Sequence, residues 1–302
     1  MELIENRFVG GAFPSPVDKR DYKYSDIARD STPFDWNVGY DIRKVLPVII
    51  NNPSFVIKPK DQNGSGSCGG QAQSAVTAIK ESLMTKTYEE RSAKFIYSQT
   101  YVTGGGTRGR DLCNLVINKG SAKEIFCSSY DNGQPPSEEF MEKTSDITSV
   151  AYQDAQSTTA LSYANVDADI DKVAQAIRDN GAVLLGVTGQ NGNDWLKTYP
   201  QAPDHRDWGH WICACGAMMI NGKKYILILN SWGDTIGEAG FQYLGEDYFN
   251  ASMSGTDSGK AVWEGWTLVL KVVDAKEETT SLLRTLIVAL VNLFKPQTQQ
   301  LS

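Results

Sequence analysis

The sequence predicts an α+β fold in which a helical first half precedes a strand-rich second half, and three observations carry that expectation. Ala75, Val76, Ile79 and Leu83 recur at helical spacing directly after the glycine-rich loop DQNGSGSCGG at 61–70. Two further helical patterns follow at 92–102 and 110–120, the second stopped by Gly120. From residue 182 onward, β-branched, aromatic or alternating runs are separated by turn pairs such as Asn221-Gly222.

Taken in order, residues 1 to about 50 are polar, carry prolines and charges, and have weak periodicity, which reads as an extended arm ending in the apolar patch VLPVII at 45–50. The helical half begins after it. A joining region near 130–165, with paired Pro135 and Pro136, leads to a helix at 167–181 stopped by Gly181. Strands are then expected in AVLLGV at 182–187, HWICACGAMMI at 210–220, KKYILILN, GFQYL and AVWEGWTLVLKVV. The last segment differs. Leu282, Leu283, Leu286, Leu290 and Leu293 give 281–294 a broad apolar helical face, too short for a membrane span and suited to docking on the protein or on a membrane surface. There is no internal repeat and no low-complexity stretch.

Composition narrows the function. At 302 residues the chain is long enough for about two domains of roughly 150 residues, or one two-lobed unit with appendages. A net charge of -7 argues against a nucleic-acid partner. The N-terminus MELIENRFVGG has no apolar core of a secretory signal. Five cysteines with no C-x-x-C pair point to reduced thiols and a cytoplasmic or otherwise intracellular setting, the inside of a phage particle included. Zinc is disfavoured, and no metal or cofactor is called for. Cys213 and Cys215 fall on one face of a strand, as small buried packing groups. Any histidine chemistry must pass through His205 or His210.

Cys68 stands where the glycine-rich loop becomes a helix, so unpaired amides and the helix dipole favour a thiolate there. On that evidence alone it is either a nucleophile or an inert buried cysteine. The partners decide. His210 opens one strand and Asn230 ends the next, so an imidazole can take the thiol proton while a neutral carboxamide fixes its tautomer. Gln62, six residues before Cys68, can donate into an oxyanion hole with the Cys68 backbone amide. His205, in the polar loop QAPDHRDW, reads as a solvated residue.

With Gln62, GSCGG at 66–70, Gly209-His210 and NSWG at 230–233 in this order, the chain resembles the papain family of cysteine peptidases. The separation of 142 residues between Cys68 and His210 lies within the roughly 130–150 such enzymes have. The segments GGGTRGRDLCNLVINKGS and SSYDNGQPPSEEF and the early PVDKRDYKY look like bacterial and phage-type relatives that lack a long helical propeptide. The resemblance implies a helical lobe (about 60–130) packed on an antiparallel β-barrel-like lobe (about 165–274), with the active site in the cleft between them. It divides the chain into an arm at 1–50 able to act as a short propeptide, a catalytic domain at 51–274 and a tail at 275–302. By the same resemblance Cys68 is the nucleophile, His210 the acid/base, Asn230 the orienting amide and Gln62 the oxyanion donor. Trp232 shields the His-Asn bond, while Gly104, Gly105 and Gly209 contact an extended peptide or protein substrate.

Three positions depart from the family pattern. Gly69 replaces an aromatic residue after the nucleophile, leaving it less shielded, and Trp211 replaces a small residue after the histidine, which would narrow a substrate pocket. Ser65 stands where the family has a disulfide cysteine. Two other functions share parts of this sequence: a Cys-His amidase or transamidase on peptidoglycan or glutamine amides, and a catalytically silent binding or scaffold protein.

Overall fold

The computed structural model describes residues 10–28, 32–192, 195–253 and 258–272. The tail and its apolar segment 281–294 lie outside the described residues. Strand β1 (Ala12–Phe13) is followed by a single helical turn at Tyr24–Ile27, β2 (Tyr40–Asp41) and helix α1 (Ile42–Ile49). The VLPVII patch is therefore helical and not part of an extended arm. Asp41 caps the helix by accepting from the Arg43 amide, and Ile42 and Leu46, one turn apart, are both fully buried.

Helices α2 (Cys68–Thr85), α3 (Ala93–Thr100), β3 (Thr107–Arg108), α4 (Gly109–Asn118), α5 (Glu138–Glu142) and α6 (Ser149–Ala155) follow. Strand β4 (Thr158–Val166) occupies what the sequence offered as a joining segment. Its TTALSYANV run alternates too little to stand out. Helix α7 (Ile170–Asn180) opens at Asp169, whose carboxylate accepts from the Asp171 and Lys172 amides, and closes at Gly181 with φ of 84°. The rest is β5 (Val183–Gly189), β6 (Trp208–Ile220), β7 (Lys223–Leu229), β8 (Phe241–Gly245), helix α8 (Glu246–Asn250) and β9 (Val262–Val272).

A seven-stranded sheet has the order β4-β9-β5-β6-β7-β8, with β2 paired to β6. From β9 through β5, β6 and β7 to β8 each strand is antiparallel to the next. Among the described residues the path does not close into a barrel. Alternation along β6 sorts its side chains to two cores. Trp211, Cys213 and Cys215 join Cys68, Ala72, Val76 and Ile79 of α2 in one. Ile212 and Ala214 join Val173, Ala174 and Ile177 of α7 in the other. The long strand β6 thus stands behind helix α2, which Cys68 begins. Cys213 and Cys215 are both fully buried free thiols.

Candidate active site

Cys68 is the first residue of α2, and Ser67 before it makes no side-chain cap, so the first-turn amides stay free to act on the sulfur. The amides of Trp211, Gly69 and Gly11 reach the sulfur and lower its pKa, but burial outweighs them and pushes the thiol up to about 12. In this form burial therefore opposes the thiolate that the helix start favours. Cys68 is completely buried, so Gly69 does not leave it less shielded.

His210 is also buried, and burial takes its pKa down to about 4 against the opposing pull of its bond to Asn230. Its Nε2 lies 2.8 Å from Asn230 Oδ1, which also accepts from the Ser231 amide at 2.7 Å. An oxygen that can only accept makes Nε2 the protonated nitrogen and leaves Nδ1 with a free lone pair. Asn230 Nδ2 donates to Gln242 Oε1 at 2.8 Å, and Gln242 Nε2 donates to the carbonyls of Trp195 and Lys197 at 2.6 and 2.8 Å. Trp232 stacks on the imidazole with centroids 4.8 Å apart, and Trp195 and Trp208 meet it edge-on at 6.1 Å. The three indoles keep water from the His-Asn bond. Sequence reasoning missed Gln242, Trp195 and Trp208, whose runs read as ordinary strand or loop. No hydrogen bond joins Cys68 to His210 among the described residues.

Gln62 is buried with its amide held at both ends. Nε2 donates to the Ser65 carbonyl at 2.8 Å, and Oε1 accepts from Ser231 Oγ at 2.6 Å. Ser231 thus ties Gln62 to the turn that carries Asn230. Ser65 Oγ donates to the Gln62 carbonyl at 2.6 Å and lies 2.7 Å from Ser67 Oγ, so hydroxyls brace the loop where the family resemblance would put a disulfide. His205 is exposed beside Asp204 at 2.5 Å, away from this constellation.

The described N-terminal segment covers the thiol. Ala12 and Phe13 pair in parallel with Thr107 and Arg108, and the Thr107 amide donates to the Gly11 carbonyl at 2.9 Å. The fit is backbone against backbone. A Cβ on Gly11 would lie 2.1 Å from the Gly66 carbonyl oxygen, one on Gly209 2.7 Å from the Ala12 oxygen, and one on Gly106 2.5 Å from the Gly11 oxygen. Further along, Ser15 donates to Glu264 from its amide at 2.8 Å and from its hydroxyl at 2.5 Å, while Ser15 Oγ accepts from the Arg110 amide at 2.9 Å.

Three sequence expectations change with these contacts. The glycine against the arm is Gly106; Gly105 and Gly104 are set back, the latter with no atom within 4 Å of a Cβ. Trp211 lines no pocket, because alternation turns it into the helical core at 0% exposure, where its indole donates to the Thr107 carbonyl at 3.1 Å. A Cβ on Gly69 would stand 3.1 Å from Trp211 Cδ1 and 2.0 Å from Thr107 Oγ1. Thr107, Leu112 and the Trp211 indole therefore together leave no room for a side chain at residue 69.

A profile described as papain family cysteine protease matches residues 49–258. Xylellain, a cysteine protease from Xylella fastidiosa, superposes with a TM-score of 0.67 at 20% identity, over 89% of this chain and 97% of that one. Digestive procathepsin L 3 of the Tenebrio molitor larval midgut gives 0.59 at 18% identity, over 87% and 76%. The bromelain protease of Ananas comosus, solved with the E64 inhibitor, gives 0.56 at 20% identity, over 77% and 99%.

Proposed function

The chain belongs to the papain family of cysteine proteases, and from that premise we propose the roles of its residues and of its arm. It is a papain-like cysteine peptidase acting on peptides or proteins. In our reading Cys68 gives its proton to His210 Nδ1, and the thiolate attacks the substrate carbonyl carbon. The Cys68 amide and the second N-H of the Gln62 amide receive the oxyanion. His210 then protonates the leaving amine, which departs as the thioester forms. A water that loses its proton to His210 attacks the thioester, releasing the acid and restoring the thiol. Asn230, held by Gln242, keeps Nε2 protonated so that Nδ1 faces the reaction.

The observation that carries this reading is the buried His210-Asn230-Gln242 chain under Trp232, on the strand packed behind the Cys68 helix. The helices from α2 to α6 would form one lobe and the curved sheet a barrel-like second lobe, with the arm in the cleft between them. The arm would act as a short propeptide: over the thiol, it holds Cys68 and His210 in their neutral forms. Five free, buried cysteines fit a reducing, intracellular setting. Hydrolysis of a fluorogenic peptide library under reducing conditions, with labelling of Cys68 by a peptide epoxide, tests the assignment. Cys68→Ala is expected to abolish both, and turnover surviving in that variant refutes it.

A further inference from the structure

We propose that Glu138 makes the substrate position beside Cys68 selective for a cationic side chain, arginine or lysine, on the acyl side of the cleaved bond. The inference rests on the peptidase roles of Cys68 and His210 and goes on to specificity. Glu138 belongs to the SSYDNGQPPSEEF segment, which those roles leave unused. Its Oε2 accepts from the Gly66 amide at 2.5 Å, two residues before the nucleophile. Its Oε1 accepts from the Tyr97 hydroxyl, which itself accepts from the Gly106 amide at 2.8 Å. The carboxylate is thus fastened between the nucleophile loop and the glycine run at 104–106.

The surroundings leave its charge available. A Cβ on Gly66 would be 3.5 Å from Glu138 Oε2, and one on Gly105 would meet only Oε1 at 3.7 Å. Beside them a Cβ on Gly104 would meet nothing within 4 Å, and the Gly104 amide donates to the Tyr101 hydroxyl at 3.3 Å, so the carboxylate stands next to open space at the glycine run. Glu138 is half-buried, with no lysine or arginine within ion-pair distance among the described residues. The nearby Lys94 and Lys143 are engaged by Asp146 at 2.9 Å and Glu139 at 2.7 Å. A carboxylate offers about four acceptor sites, and two are taken, which leaves room for a guanidinium or ammonium.

Direction follows from the chemistry. The leaving amine must lie toward His210 to be protonated, so the acyl residue lies on the other side of the sulfur, against Gly66 and the glycine run. A cation bound there also cancels a negative charge that opposes thiolate formation at Cys68.

The test uses blocked coumarin peptides identical except for Arg, Lys, Leu or Glu next to the cleaved bond. They are assayed with the full-length wild type and with full-length Gly11→Val, in which the arm is displaced. Expected is a kcat/KM for Arg and Lys exceeding that for Leu by about ten-fold or more, with Glu the poorest. In Glu138→Gln the Arg-to-Leu ratio should fall about ten-fold. In the wild type the same ratio should shrink as salt is raised to about 1 M, a readout that needs no variant. Turnover with no preference for the cationic peptides, or a ratio unchanged by both Glu138→Gln and salt, overturns the proposal alone. No turnover of any peptide overturns it together with the roles given to Cys68 and His210.

Discussion

Replacing Gly11 by valine should uncover the active-site thiol without unfolding the protein. The Gly11 Cβ position lies 2.1 Å from the Gly66 carbonyl oxygen, 2.7 Å from its carbon and 2.9 Å from its Cα. All three are backbone atoms of the loop leading to Cys68, so no rotamer change relieves the overlap. Overpacking of this kind costs about 1–3 kcal/mol, which converts to roughly 5- to 150-fold in the equilibrium between covered and open forms. The Ser15–Glu264 anchor is untouched, so the arm should peel locally at 10–13 rather than detach. The assay is the rate of Cys68 alkylation by iodoacetamide at neutral pH, read by peptide mass spectrometry, with the four other buried cysteines as internal references. Cys68 should react at least about five-fold faster than in the wild type while the other four do not change. An unchanged Cys68 rate in a folded variant refutes the covering role, and acceleration of all five together refutes local release.

Three further outcomes follow from the same contacts. His210 has its pKa lowered to about 4 from 6.5, so the unfolded chain takes up that proton first; its contribution to stability is present above pH 6.5 and lost as pH falls through 4. Cys68 is raised to about 12 from 9.0, so its contribution is present below pH 9 and lost as pH rises toward 12. The acid limb amounts to about 3 kcal/mol and the alkaline limb to about 4, and urea midpoints across pH should show the acid limb flattened by His210→Gln and the alkaline limb by Cys68→Ala. Gly69→Ala should destabilise by about 1–3 kcal/mol because its methyl meets Thr107 Oγ1 at 2.0 Å, and Thr107→Ala in the same chain should restore most of the loss in thermal melts. Gln242→Leu removes the acceptor of Asn230 Nδ2, so kcat should fall about ten-fold with KM little changed in steady-state assays.

Legibility in the sequence tracked whether a residue's role depends on its neighbours in the chain or on neighbours in space. The start of α2 at Cys68 follows from the local glycine-rich loop, and the strand ends carrying His210 and Asn230 follow from apolar runs and turn residues. Those three could be read directly. Trp211 and Gly69 could each be seen to depart from the family pattern, but their packing together spans 142 positions and appears only once β6 lies behind α2. Read separately, Trp211 looked like a pocket wall and Gly69 like lost shielding; in the fold Trp211, Thr107 and Leu112 close the space beside Gly69. Glu138 sat in a singled-out segment, yet nothing local shows that its carboxylate turns toward Gly66. A helix N-terminus is a local signal and could be read for Cys68, whereas the burial that opposes its effect on the thiol comes from residues distant in the chain.

The arm's seat and the proposed substrate seat meet at the same glycines beside Cys68. Where the arm crosses the sulfur, main chain touches main chain: Gly11 against Gly66, Gly106 against Gly11, Gly209 against Ala12, each too close to admit a Cβ. A substrate residue with a side chain cannot follow the Gly11 track that deeply, because its Cβ would meet the Gly66 carbonyl as valine would. It must ride higher and send its side chain into the open space before Gly104 and Gly105, the direction in which Glu138 lies. Covering and selectivity therefore draw on the same glycines in different ways. For the arm they permit close approach over the thiol, and for the substrate they leave open space beside the Glu138 carboxylate.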